Sequence, residues 1–94
     1  MKNLKDVLLL FSDDILKDVD EIRYLDSPED FCIKAVFPDP EVEDTYEYID
    51  IWLFGTGETA LMVRGDDVDQ YGALIWDNVI NFYVKIRDIW KNNV

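Results

Sequence analysis

Six carboxylates, Asp39, Glu41, Glu43, Asp44, Glu47 and Asp50, crowd a twelve-residue stretch that contains no basic residue. Carboxylates at such density could serve as a general acid and base, or as oxygen ligands for a hard cation. A calcium loop, however, requires ligands at set intervals, a glycine at its sixth position and a closing glutamate. Pro40 and Val42 interrupt this run, and it holds no glycine. Weak, non-specific cation binding is the most it supports, and no dedicated metal site is expected. The chain has no histidine, which removes Ser-His and Cys-His relays, imidazole bases and histidine ligands. Cys32 is the single cysteine. Lys34 two residues on could lower its pKa, but a lone cysteine in an alternating apolar run is ordinarily a small packed hydrophobe. Gly55-Thr56-Gly57 is too short for a phosphate loop and has no following Lys-Ser or Lys-Thr. The residues therefore read as non-enzymatic and without a cofactor.

What survives is a binding surface. Tyr46 and Tyr48 interleave with the acids. Tyrosines supply rigid contact area, and carboxylates pair with Arg or Lys on a partner. The partner-binding candidates are Asp39, Glu41, Glu43, Asp44, Tyr46, Glu47, Tyr48 and Asp50. The competing reading is a solvated loop beside tyrosines that belong to the core.

The whole chain shares this electrostatic character, with 9 Lys and Arg against 21 Asp and Glu, a net charge of -12 and a pI near 4.1. Such a field repels DNA, RNA and anionic membranes and speeds encounter with basic protein surfaces. Direct nucleic-acid and membrane binding are both disfavoured. The apolar run from Val7 to Phe11 is too short to span a bilayer, and no signal-peptide cleavage pattern follows it. One cysteine forms no internal disulfide, so a reducing cytoplasm is the simplest address.

Elements must position these residues. With 94 residues, 49% of them hydrophobic, the chain suits one folded domain over residues 1–94. Leu4, Val7, Leu8, Phe11, Ile15, Val19 and Ile22 recur at steps of three and four, which predicts a helix from Leu4 to Ile22. Ser12 before Asp13 and Asp14 could instead cap a second helix, splitting the first. Ser27-Pro28 is a turn, after which Phe31 to Phe37 alternates as a strand; Ile22 to Leu25 could pair with it as a short extra strand. Thr45 to Phe54 is the strongest strand, with Ile49, Ile51 and Leu53 on one face and Tyr46, Tyr48, Trp52 and Phe54 on the other. Gly55 to Glu58 turns it into a hairpin with Thr59 to Arg64. Gly65-Asp66-Asp67 closes that hairpin and supplies an N-cap for a final amphipathic helix from Val68 to Lys91. There Ile75, Val79, Phe82, Ile86 and Ile89 form one stripe, and Trp76, Tyr83 and Trp90, seven apart, form a second. The expected fold is α+β in two layers: a helix, a three- or four-stranded antiparallel meander sheet and a long C-terminal helix, both helices on one face.

In size, acidity and helix-strands-helix order the chain resembles phage-encoded DNA mimics and anti-CRISPR proteins. The resemblance rests on architecture and composition, with no shared motif, and carries over no site residues. It implies an inhibitor that occupies the basic channel of a nucleic-acid-binding enzyme. An immunity protein or antitoxin against a basic nuclease would use the same charge. A third reading is a homo-oligomeric adaptor, such as a homodimer, that docks through Trp76, Tyr83 and Trp90 while the acids serve only solubility.

Overall fold

A computed structural model describes residues 3–64 and 73–94. Two short helices, α1 (Leu4–Leu10) and α2 (Asp13–Leu16), precede four strands, β1 (Val19–Tyr24), β2 (Phe31–Pro38), β3 (Tyr46–Leu53) and β4 (Thr59–Val63). A long helix, α3 (Ala73–Lys91), follows. The strands form one antiparallel sheet in the order β1-β2-β3-β4. The α+β meander expected from the sequence is the observed fold. The hairpin closure at Gly65-Asp66-Asp67, the proposed N-cap and the start of the last helix at Val68 lie outside the described residues.

The single helix expected from Leu4 to Ile22 is instead two helices and a strand. Asn3 and Asp6 form a reciprocal capping box that starts α1. Ser12 is extended, at φ -73° and ψ 164°, and α2 opens immediately after it with Asp13 and Asp14 in its first turn. Acids there suit the positive end of the helix dipole. The strand beyond was disguised by a bulge. Val19 pairs with Ala35 and Ile22 with Ile33, with the register shift falling between Val19 and Glu21. One inserted residue places two core-facing side chains three apart, the spacing that an α-helix also produces.

One face of the sheet carries the core. Phe31, Ile33, Ala35 and Phe37 of β2 lie opposite Leu53, Ile51, Ile49 and Glu47 of β3. Val7, Phe11 and Ile15 from the N-terminal helices and Ile75, Val79, Phe82 and Ile86 from α3 close over that face. Phe82 meets Phe37 edge-on at 5.1 Å between ring centroids, and Trp90 meets Phe31 at 5.9 Å. These edge-to-face contacts pin the middle and the C-terminal end of α3 to opposite ends of β2.

The two turns distal to the Asp39 loop are joined. Gly55 N donates to Asp30 Oδ1 at 2.9 Å, fastening the β3–β4 hairpin to the β1–β2 turn. A Cβ at Gly55 would sit 3.0 Å from Glu29 Cβ, so any larger residue would press Glu29 aside. Gly57, at φ 97°, makes the reversal, with Phe54 N bonded to Glu58 O.

Candidate acidic interface

The loop between β2 and β3 is held by its own hydrogen bonds. Asp39 N donates to Thr45 O at 2.8 Å, and Asp39 Oδ1 accepts from Glu41 N at 2.9 Å. Thr45 Oγ1 donates to Glu43 O, and Asp44 takes up a positive φ of 57°, a conformation that Asp adopts more readily than most residues. The result is a braced loop that presents Glu41, Glu43 and Asp44 to solvent.

The eight candidates divide accordingly. Glu41, Glu43, Asp44, Tyr46 and Tyr48 are exposed, the two tyrosines by 46% and 45%. Those tyrosines stand on the bare side of the sheet, outside the core. Asp39 is 6% exposed and closes the loop, so it is a bracing residue and leaves the contact set. Glu47 must also be withdrawn. It shares the core face of β3 with Ile49 and Ile51, is 0% exposed, and its Oε1 accepts from Tyr48 N. The alternation of β3 dictates this, since Glu47, Ile49, Ile51 and Leu53 have the same parity. Asp50 lies on the outer face but is neutralised there. Arg64 Nε approaches its Oδ1 to 2.9 Å as an ion pair without hydrogen-bond alignment, and Lys34 Nζ lies at 3.7 Å.

The second set also separates. Trp90 is 1% exposed, and its Nε1 donates to Phe54 O at 2.8 Å, which makes it a core residue and not an interface. It follows Ile86 by four residues and so joins the buried stripe. Tyr83 is half-buried with its hydroxyl 2.8 Å from Thr59 Oγ1, and Trp76 is half-buried on the same flank.

Folding adds acids that the linear cluster did not contain. The groove beside the braced loop, about 470 Å³, is lined by Asp14 and Asp18 from the α2 segment and by Phe37, Pro38 and Pro40. Antiparallel pairing explains the meeting: β1 begins where β2 ends, so the acids before β1 reach the same end of the sheet as those after β2. Asp14 and Asp18 thus reach Pro38 and Pro40, where the loop that carries Glu41, Glu43 and Asp44 begins, and among the described residues none of these five acids is in an ion pair. Lys17 and Lys85 share the groove and offset part of this charge. Asp26, Glu29, Asp30 and Glu58 sit in the two turns at the opposite end. They are scattered through the sequence, and only the contact between those turns unites them.

The described residues contain no group of three or more His, Cys, Asp or Glu side chains arranged to hold a metal. Cys32 is buried, and its thiol pKa is raised, first by burial and then by the nearby Asp50, against the smaller opposing effects of Arg23 and Lys34. A thiol kept protonated is a poor nucleophile. None of the described helices is long and apolar enough to cross a membrane. Comparison with protein-family models, curated proteins and solved structures finds no match.

Proposed function

We propose that this chain is a non-enzymatic binding protein whose acidic sheet end occupies the basic surface of a nucleic-acid-binding protein and blocks it. The observation that carries this reading is the approach of Asp14 and Asp18 to Pro38 and Pro40, at the root of the loop that bears Glu41, Glu43 and Asp44, two sequence-distant segments whose acids have no ion-pair partners among the described residues. Carboxylates fixed on a braced loop stand in for backbone phosphates and lose little conformational entropy on contact with arginines. Tyr46, next to this loop on β3, supplies aromatic contact area beside the charge. The body is elongated, 41 × 25 × 18 Å, with acids at both ends of the sheet, a form suited to lying along a channel. A basic nuclease neutralised by an immunity protein would present the same kind of surface to these acids. The lone reduced thiol fits action in the cytoplasm.

The test is capture of partners from host lysate by the wild-type chain and by the Glu41→Lys, Glu43→Lys, Asp44→Lys variant, at low and high salt. Recovery of a nucleic-acid enzyme that is lost with the variant and weakened by salt supports the reading. Equal recovery by both proteins overturns it.

A further inference from the structure

The two edges of the sheet are unlike. β1 is protected in the ways edge strands usually are, by a bulge and by the charges of Asp20, Glu21 and Arg23. β4, Thr59-Ala60-Leu61-Met62-Val63, has no bulge in its pairing with β3 and is the one described element without a charged residue. Its hydrogen-bond phase follows from two contacts: Phe54 N to Glu58 O and Arg64 N to Tyr48 O. Residues 58, 60, 62 and 64 therefore bond inward to β3, and the N–H and C=O groups of Thr59, Leu61 and Val63 point away from the sheet. Among the described residues nothing accepts or donates to those outward groups.

We infer that the β4 edge pairs with the β4 edge of a second copy of this chain, forming a continuous eight-stranded sheet about a two-fold axis at Leu61. Antiparallel self-pairing centred on Leu61 satisfies all the outward groups: Leu61 bonds its symmetry mate, and Thr59 bonds Val63 of the other copy twice over. The same register places Glu58 opposite Arg64 of the partner subunit, and symmetry repeats that pair. No other centring on this strand both uses all three outward residues and joins opposite charges. For a chain of net charge -12, an uncharged edge flanked by one acid and one base is where two copies approach with least repulsion. Apolar material lies alongside. The Tyr83–Thr59 contact brings one flank of α3 to β4, and Trp76 and the exposed Ile80 share that flank at helical spacing.

Light scattering of the full chain across a concentration series tests this independently of any partner capture. The wild type is expected to approach twice the monomer mass. Leu61→Pro removes an outward N–H that β3 does not use and should leave a folded monomer. Glu58→Arg opposes two arginines across each pair and Arg64→Glu opposes two glutamates, so each should lose about tenfold in dimer affinity. An equimolar mixture of the two restores both pairs and should recover the dimer. A wild type that stays monomeric at every concentration overturns the inference, as does a Leu61→Pro dimer as tight as wild type. If Leu61→Pro fails to fold, the charge-swapped pair decides: recovery on mixing supports this register, and no recovery sinks it.

Discussion

The acidic end and the outer face of the sheet handle charge in opposite ways. At the acidic end Asp14 and Asp18 stand beside the loop of Glu41, Glu43 and Asp44, with no ion-pair partner among the described residues and with Lys17 and Lys85 in the same groove. On the outer face Asp50 is clamped between Lys34 and Arg64, and Glu21 lies opposite Lys34 in the pairing of β1 with β2. Arg64 also lies 5.6 Å from the Tyr48 ring centroid, so one guanidinium serves both a carboxylate and an aromatic face. The difference teaches that a net charge of -12 is not spread evenly. On the outer face Asp50 is paired with Lys34 and Arg64, whereas Glu41, Glu43 and Asp44 on the loop and Asp13 and Asp14 at the start of α2 are left to solvent. Unpaired charge on a braced loop is available to a partner, whereas paired charge on a strand stabilises the fold.

Glu47 lies at the boundary of the two regions and gives the largest test. Glu47→Lys puts an ammonium into a site that is 0% exposed on the core face, and should cost about 3 kcal/mol or more, enough to shift the denaturant midpoint severely. Glu43→Lys, four residues away on the exposed loop, should change stability by no more than about 0.5 kcal/mol. Similar losses in the two variants would remove the distinction between core and surface acids. Next is Asp50→Ala, which leaves Lys34 and Arg64 facing each other without a carboxylate. The Asp50 side chain is 14% exposed but its partners are 20% and 37% exposed, so solvent screening holds the loss to about 1–2 kcal/mol, read by urea titration. An unchanged midpoint would show that the outer-face pairs contribute nothing.

Raising salt should raise the wild-type melting transition modestly, because it screens the self-repulsion of a chain of net charge -12, while capture of a basic partner falls steeply. A partner held equally well at low and high salt would separate binding from the acidic end.

The smallest effect concerns Cys32. Its folded-state pKa is raised, so the native protein holds the thiol proton more tightly than the unfolded chain does. The associated stability is fully present below the unfolded thiol's ordinary value and is lost as pH rises through the raised folded value. Denaturant midpoints should therefore decline modestly on the alkaline side. Cys32→Ala should flatten that part of the decline, and native Cys32 should react with thiol reagents only as the sheet opens.

Much of this was legible in the chain. Period-two alternation in Phe31 to Phe37 and Thr45 to Phe54 specified the two central strands. It also placed Tyr46, Tyr48 and Trp52 on the face opposite Ile49, Ile51 and Leu53, because a strand's side chains alternate whatever surrounds it. The same alternation already assigned Glu47 to the apolar face. Reading the acids by density alone obscured it, since composition ignores parity. Ser12 signalled the break between α1 and α2, and Ile22 to Leu25 the end of β1, but a bulge in β1 reproduces helical spacing, and a local pattern cannot tell an inserted residue from a turn of helix.

By itself, then, the sequence determined the class of fold, the absence of histidine chemistry and the acidic field, since these depend on residue type and short-range period. Tertiary structure alone decided which carboxylates are neutralised and which meet. Those properties depend on antiparallel pairing, which brings Asp14 and Asp18 to the Pro38–Pro40 end of the sheet and Arg64 to Asp50. It also sent Trp90 into the core, because its indole N–H finds Phe54 O only when the hairpin is folded beneath α3. Charge is additive along a chain, but its use depends on distance, and distance between residues remote in sequence is set only when the chain folds.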